Sequence, residues 1–202
     1  MTAAAPGARA RTVQAWRAGV AALLAGVLSQ ALAAGPAESA DIWLAMDDGA
    51  AVLMRHAEAP GGGDPPGFRL DDCTTQRNLD EVGRDQARRI GQAFRERGIR
   101  VGRVLSSRWC RARDTARLAF GEPVQEAEVF DSFFGTPQRR EARTADARQL
   151  LRQWRGPGVL VVITHQVNIT ALTGVFPAPG EAVVLNVRDA DLPLLGRIRP
   201  AP

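Results

Sequence analysis

Residues 158–165, GVLVVITH, contain the most hydrophobic run of the chain beyond residue 34. Five consecutive apolar residues lie between Gly158 and the polar pair Thr164-His165. A short apolar run with such boundaries is typical of a strand that is buried on both faces of a sheet. We therefore predict a central strand that ends directly before His165.

The neighbouring segments predict an alternation of strands and helices. Residues 51–54 form a second apolar run, which ends at Arg55-His56. Residues 80–98 begin with acids, repeat small and apolar residues at helical spacing and end in glycine, as a helix does. The other elements we predict are a loop at 60–66, strands at 101–105 and 124–130, helices at 112–121, 141–154 and 166–173, and a closing pair of strands at 182–188 and 194–198. This alternation indicates an α/β fold with a largely parallel sheet.

The charge balance argues against a nucleic-acid-binding protein. The 202-residue chain carries 26 basic and 22 acidic residues, and every basic residue is an arginine. Three arginines lie within residues 1–17, whereas all the acids lie beyond residue 34; without those three, 23 basic residues face 22 acidic ones. A single-strand binder also needs a basic groove lined with aromatic residues, and no dense basic run with interleaved aromatics occurs.

The first 34 residues have the pattern of a secretory signal peptide. Residues 1–17 are basic without acids, residues 18–34 are small and largely apolar, and residues 31–33 (ALA) form a small-x-small cleavage site. The alternative is an uncleaved anchor helix, for which the run is shorter than the ~20 residues that a bilayer needs. We predict a cleaved signal peptide at 1–34, a linker at 35–49 and one domain at 50–202. The protein is then periplasmic or secreted, with no stable membrane span after cleavage.

The chain has two histidines, and each comes directly after a predicted strand. Ligands of open α/β sheets bind at the carboxyl ends of the strands, so we expect His56 and His165 to meet at that edge. Arg55 precedes His56, and Arg111 opens the helix after the strand at 101–105. Guanidinium groups bind phosphate oxygens through paired hydrogen bonds.

These residue types predict a reaction at a phosphoester. Flanking guanidiniums keep an imidazole neutral, and therefore nucleophilic, near pH 7. We accordingly expect His56 to attack phosphorus while Arg55 and Arg111 bind the phosphate. His165 also binds the phosphate oxygens, where charge accumulates in the transition state.

Four segments, in order, resemble the motifs of the histidine phosphatase superfamily, also called phosphoglycerate-mutase-like. They are MRHAE at 54–58, RNLDEVG at 77–83, LSSRWCRARDTA at 105–116 and ITH at 163–165. The resemblance extends from about residue 50 to the C-terminus. It implies a three-layer α/β/α sandwich with a phosphoglycerate-mutase-like sheet, a phosphohistidine intermediate on His56, and neither metal nor other cofactor.

The resemblance has two departures. Gln166 follows the second histidine, where many members of the family have glycine. Many members also supply a proton donor from a glutamate between the second and third motifs, and none aligns here. Asp131 is our candidate donor, with an exposed loop acid or a helix cap as the alternative reading. Glu58 is the second candidate.

The positions of Cys73 and Cys110 and the short span between motifs resemble a small exported branch of the superfamily that includes lipopolysaccharide core heptose phosphatases. An oxidising compartment permits a disulfide between Cys73 and Cys110, the alternative being two free thiols. The sequence therefore predicts an exported, metal-independent phosphomonoesterase that acts on a small phosphorylated substrate, such as a cell-envelope sugar phosphate. The alternative is a non-catalytic envelope protein that binds phosphorylated glycans through the same arginines.

Overall fold

The structure, a computed structural model, describes residues 39–201. Its six strands form one mixed sheet with the order β3-β2-β4-β1-β5-β6. The strands are β1 (Ala50–Arg55), β2 (Val101–Ser106), β3 (Gln125–Glu126), β4 (Val159–Thr164), β5 (Ala182–Asn186) and β6 (Leu194–Ile198). The first four strands of that order run parallel, and β5 and β6 complete the sheet as antiparallel neighbours. The predicted α/β class, the largely parallel sheet and the closing strand pair are confirmed.

Strand β4 is the central strand that its apolar run predicts. It pairs in parallel with β1 on one side and β2 on the other, and all six of its residues are buried. Met54 of β1 lies opposite Ile163, and Arg55 lies opposite Thr164. This register brings the ends of β1 and β4 level, so the residues that follow them are neighbours.

Five helices accompany the sheet. They are α1 (Ser39–Leu44), α2 (Glu81–Glu96), α3 (Cys110–Phe120), α4 (Arg140–Arg152) and α5 (Gln166–Thr173). Alternate residues of each central strand face opposite layers, so Val161 packs with Ile90 of α2, whereas Val162 packs with Leu151 of α4. Two separate apolar cores, one on each face, give the predicted three-layer sandwich. None of the helices in the described part of the chain is long and apolar enough to cross a membrane.

The predicted strand at 124–130 is largely wrong. Only Gln125 and Glu126 pair with β2, because their partners Leu105 and Ser106 are the last residues of that strand. The chain then forms a 3-10 turn, Glu128–Phe130, that buries Phe130 in the core beside α4. The chain therefore leaves the sheet after Glu126, and the predicted strand does not continue to residue 130.

A short packed helix lies within the segment that we predicted as a linker, residues 35–49. Helix α1 contacts β6, and Ile42 and Trp43 are buried in the core that contains α2. Trp43 lies edge-on to Phe94, with 5.1 Å between ring centroids. Burial of these apolar side chains stabilises the helix in this position. The predicted signal peptide, residues 1–34, lies outside the described residues.

A glycine allows α2 to approach the chain after β1. A Cβ atom on Gly83 would lie 1.9 Å from the carbonyl oxygen of Glu58, so no other residue fits there without a backbone shift. Asp80 caps the same helix by accepting a hydrogen bond from the Gly83 amide at 2.8 Å. The segment at 77–83 therefore anchors the loop that follows His56.

Candidate active site

The two histidines meet at the carboxyl edge of the sheet. His56 follows β1 and His165 follows β4, and the backbone amide of His56 donates to the Thr164 carbonyl at 3.0 Å. The ring centroids are 5.4 Å apart, and both side chains are buried. The sequence prediction that folding brings these two imidazoles together agrees with this geometry.

Hydrogen bonds fix which nitrogen of His56 is free to react. Nδ1 lies 2.8 Å from the carbonyl oxygen of Ala57. Because a carbonyl oxygen only accepts, Nδ1 must carry the proton and Nε2 must carry a lone pair. Arg111 Nε donates to that lone pair at 3.2 Å. The amide of Ala57 donates to Thr115 Oγ1 at 3.0 Å, which holds the carbonyl and the ring in place. Nε2 therefore has the orientation of a nucleophile.

Both imidazoles are neutral at pH 7. Burial, and then the positive charge of Arg111, lower the pKa of His56 well below its usual value of 6.5. Burial, together with the neighbouring His56 and Arg111, lowers the pKa of His165 in the same direction. Protonation would place a cation among arginines in a site of low polarity, which is unfavourable.

The lowered histidine pKa values predict that stability falls on acidification. Below pH 6.5 the unfolded chain binds protons that the folded protein does not, so the free energy of unfolding rises with pH up to about 6.5. Each histidine contributes a slope of up to about 1.4 kcal/mol per pH unit. We expect urea titrations between pH 5 and 7.5 to show this rise and the double variant His56→Asn/His165→Asn to show a flatter one. Equal slopes would contradict the assignment of neutral, buried imidazoles.

His165 is oriented by the turn that follows β2. Its Nε2 lies 2.8 Å from Ser107 Oγ, which leaves Nδ1 as the nitrogen available to a bound group. The hydroxyl can donate to Nε2, and in that tautomer Nδ1 carries the proton and can donate to a bound group. Trp109 packs edge-on against the same ring, with 5.3 Å between centroids. These contacts direct His165 toward the space beside His56.

Asp131, our candidate proton donor, lines the site but is already engaged. Its carboxylate accepts from the Arg108 amide at 2.9 Å and from Arg108 Nε at 2.8 Å, and Arg108 Nη2 lies 2.6 Å away. Ser107 Oγ also lies 3.4 Å from Asp131 Oδ1, farther than the 2.8 Å that separates it from His165 Nε2. Such a buried ion pair is suited to positioning Ser107 and His165, and it leaves no free oxygen for a leaving group. Glu58, the second candidate, is not among the residues that line the cavity.

A cavity of about 650 Å³ opens over the two histidines. Two acidic residues, Asp64 and Asp131, line this cavity. The arginines that line it are Arg55, Arg77, Arg108, Arg111, Arg139 and Arg143. Six guanidiniums against two carboxylates leave a strongly positive cavity, as an anionic ligand requires.

Three of these arginines, Arg55, Arg77 and Arg111, lie closest to the chemistry. Arg55 Nη1 donates to the Pro177 carbonyl at 3.1 Å, and Arg77 Nη1 donates to the Ala59 carbonyl. Burial, and then repulsion from Arg111, lower the pKa of Arg77, so an anion bound here relieves an unfavourable concentration of charge. We did not predict Arg77 as a site residue, although it begins the motif at 77–83.

Asp64 is the second residue that our sequence analysis missed. Its carboxylate forms a two-point ion pair with Arg111, at 2.7 Å to Nη1 and 3.1 Å to Nη2. It also accepts from Trp109 Nε1 at 2.9 Å and from the Arg77 amide at 3.1 Å. Burial favours the neutral acid, but the bonds and charge of Arg111 outweigh it and lower the pKa of Asp64. The available signal was a lone acid within the glycine- and proline-rich stretch at 60–66.

A disulfide between Cys73 and Cys110 stands beside the site, as predicted. Cys110 begins α3 directly before Arg111, and its amide donates to Gln76 Oε1 at 2.9 Å. The bond thus ties the segment that carries Arg77 to the helix that carries Arg111. For a sequence separation of 37 residues, the chain-entropy treatment gives about 4 kcal/mol of stabilisation.

Among residues 39–201, no three His, Cys, Asp or Glu side chains are grouped as a metal site would require. The site consists of one imidazole whose Nε2 lone pair accepts from Arg111, a second neutral imidazole and a set of guanidiniums. Such groups can bind a tetrahedral oxyanion and attack its central atom.

One family matches the chain. The model of the histidine phosphatase superfamily (branch 1) matches residues 51–158. A search of curated proteins finds no match.

Solved structures share the fold. The protein histidine phosphatase SixA, complexed with tungstate, has a TM-score of 0.54 at 14% identity, covering 75% of this chain and 97% of that one. A phosphoserine phosphatase variant from Entamoeba histolytica, in complex with phosphoserine, has a TM-score of 0.54 at 14% identity, and the match covers 75% of this chain and 97% of that one. A putative phosphohistidine phosphatase SixA from Agrobacterium tumefaciens has a TM-score of 0.51 at 21% identity, and the match covers 77% of this chain and 99% of that one.

Proposed function

Since the chain belongs to the histidine phosphatase superfamily (branch 1), we propose that it is a phosphomonoesterase that forms a phosphohistidine on His56. One observation carries the proposal: His56 Nε2 presents a lone pair to an arginine-lined cavity while Nδ1–H is held by a backbone carbonyl. A buried neutral imidazole so placed is an activated nucleophile.

In the first half of the reaction, Nε2 attacks phosphorus in line with the leaving oxygen. The Nε2–P bond forms as the P–O bond to the alcohol breaks. Negative charge spreads over the three equatorial oxygens, where Arg55, Arg111 and His165 donate hydrogen bonds. Before substrate arrives, Arg111 Nε donates to His56 Nε2, so this hydrogen bond is exchanged for one to the phosphate when Nε2 attacks.

In the second half, water attacks the phosphorus of the phosphohistidine. The N–P bond breaks, its electron pair returns to Nε2, and inorganic phosphate leaves. Nδ1 keeps its proton throughout, because it donates a 2.8 Å hydrogen bond to the carbonyl of Ala57. The imidazole is therefore restored in the tautomer with which it began.

The proposed substrate is a polar phosphoester larger than a phosphate group, such as a sugar phosphate of the cell envelope. A cavity of 650 Å³ lies in the range that holds a ligand of drug size. Arg139 and Arg143 add positive charge to its lining, and Phe68 and Phe134 add aromatic surface. The resemblance to heptose phosphatases of the lipopolysaccharide core supports this choice.

The proposed location is the periplasm or the exterior. The signal-peptide pattern at residues 1–34 supports export, and so does a disulfide, which persists in oxidising compartments. Fractionation of cells that express a C-terminally tagged chain, with N-terminal sequencing of the product, tests this. Cytoplasmic recovery of the full-length chain would refute the proposal.

Hydrolysis of p-nitrophenyl phosphate by the purified protein tests the proposed reaction. We expect turnover that EDTA leaves unchanged, with a phosphoryl label on the protein that acid removes, since phosphohistidine is acid-labile. Binding of phosphate without turnover on a broad panel of phosphoesters would instead favour the non-catalytic glycan-binding protein. A label that survives acid would refute phosphohistidine.

A further inference from the structure

Arg55 is held on one side by the loop that precedes β5. Its backbone amide donates to the Glu181 carbonyl at 3.0 Å, and its Nη1 donates to the Pro177 carbonyl at 3.1 Å. The Gly180 amide in turn donates to the Arg55 carbonyl at 3.2 Å. The loop at 177–181 therefore sets the position of the Arg55 backbone and of one end of its guanidinium.

A buried carboxylate holds this loop in shape. Glu181 is 3% exposed, and one of its oxygens accepts from the Ala178 amide at 2.8 Å, which closes the loop on itself. The other oxygen accepts from Arg197 Nε at 2.7 Å, and Arg197 Nη2 lies 2.6 Å from it. Because Arg197 belongs to β6, the ion pair ties the loop to the edge strand of the sheet.

A further contact joins the loop to the segment that follows His56. Gln86 of α2 donates from Nε2 to the Pro179 carbonyl at 3.1 Å, and its Oε1 accepts from the Glu58 amide at 2.8 Å. Gly180 has a φ of +73°, and a Cβ atom there would lie 2.8 Å from Gln86 Nε2. Both the backbone conformation and the close approach favour glycine. The loop thus contacts the arginine of the site and the helix that supports the nucleophile.

The surroundings of Glu181 indicate a role in positioning. Glu181 is not among the residues that line the cavity. Removing a carboxylate from water is costly, and a buried ion pair is a weak source of stability compared with apolar side chains of similar size. A carboxylate that accepts from an amide and a guanidinium at once does, however, have a fixed orientation. Arg55 requires such order around it, because a guanidinium binds phosphate through a planar set of donors.

We propose that Glu181 is a positioning residue of the phosphate site and acts through the loop at 177–181 on Arg55. The inference rests on the function proposed above, since it takes Arg55 as a ligand of phosphate. The charge of Glu181 keeps the Pro177 carbonyl in the place where it accepts from Arg55 Nη1. Loss of that charge releases the loop, and the guanidinium then adopts orientations in which it does not meet the phosphate oxygens.

Binding of inorganic phosphate to Glu181→Gln, measured by titration calorimetry, tests this role. Glutamine keeps the shape and can still accept from the Ala178 amide, but it carries no charge to pair with Arg197. We expect phosphate to bind about tenfold more weakly than to the wild-type protein, the effect of one misaligned charged hydrogen bond. In an Arg55→Ala background the same substitution should change binding by about twofold or less, because the group through which Glu181 acts is already absent.

Glu122→Gln is the matched control. Glu122 also pairs with an arginine, Arg117, and accepts from the backbone amide of Val124 at 2.8 Å, but it is not among the residues that line the cavity. Its substitution should leave phosphate binding unchanged. If thermal unfolding shows that Glu181→Gln does not fold, Arg197→Lys takes its place. Lysine keeps the charge but lacks the planar fork, so we expect a smaller loss in the same direction.

Three results overturn the proposal. Phosphate binding of wild-type strength in the folded variant would make the ion pair a structural contact only. An equal loss in the Arg55→Ala background would show that Glu181 acts through another group or through folding. Failure of the wild-type protein to bind phosphate would remove Arg55 as its ligand. The measurement needs no turnover, so a wild-type protein that binds phosphate but hydrolyses no phosphoester would refute the phosphomonoesterase alone.

Discussion

His56→Ala is expected to abolish hydrolysis of p-nitrophenyl phosphate, with a fall in kcat of about 10⁴-fold or more. The variant lacks the atom that is placed to bond phosphorus, whereas the remaining arginines bind the substrate without forming the covalent intermediate. Loss of a nucleophile costs this much because the other groups of the site act together with it. Steady-state kinetics and labelling of the protein with a radioactive phosphoryl group measure the effect.

The matched control is Arg88→Ala. Arg88 lies on the outer face of α2, half exposed and paired with Glu81 and Asp85, and its loss should leave kcat unchanged. Thermal unfolding of both variants separates lost chemistry from lost folding. Full activity of His56→Ala in a folded protein would refute a mechanism through this residue.

Arg111→Lys is expected to lower kcat/KM by about 10²–10³-fold, as does removal of one fixed hydrogen-bond donor from an oxyanion site. Lysine keeps the charge but is a flexible point charge that lacks the planar fork. Arg111 directs Nε at His56 and both Nη atoms at Asp64, a geometry that an ammonium cannot reproduce. Kinetics on p-nitrophenyl phosphate give the loss.

A neutral replacement of Arg111 has a second consequence. Arg111→Met leaves Asp64 buried without its partner, and breaking a buried ion pair costs about 3–5 kcal/mol of stability. We expect the double variant Arg111→Met/Asp64→Asn to regain most of that stability and none of the activity. Recovery of activity in the double variant would contradict a direct role of Arg111 at the phosphate.

The apolar runs of the sequence determine the framework of this protein. Five consecutive apolar residues between glycine and a polar pair are typical of a strand that is covered on both sides, and β4 is that strand. Once β1 and β4 are parallel neighbours, the positions of His56 and His165 follow from sequence alone, because each residue comes directly after its strand.

Other parts of the site depend on contacts between distant segments. The pairing of Asp64 with Arg111 joins residues 47 positions apart, and nothing in the loop at 60–66 indicates which guanidinium it meets. The ion pair between Asp131 and Arg108 likewise depends on where the short turn at 128–130 places the chain. That turn replaces the strand we predicted, because Phe130 gains more from burial than from continued pairing at the edge of the sheet.

The sequence by itself determined five of the six strands, four of the five helices of residues 39–201, and the convergence of the two imidazoles, since hydrophobic periodicity and the residues at strand ends are local properties of the chain. Only the tertiary structure decided which guanidinium each carboxylate of the site contacts and how far each carboxylate is buried. Both properties depend on segments that are distant in sequence and meet only after folding.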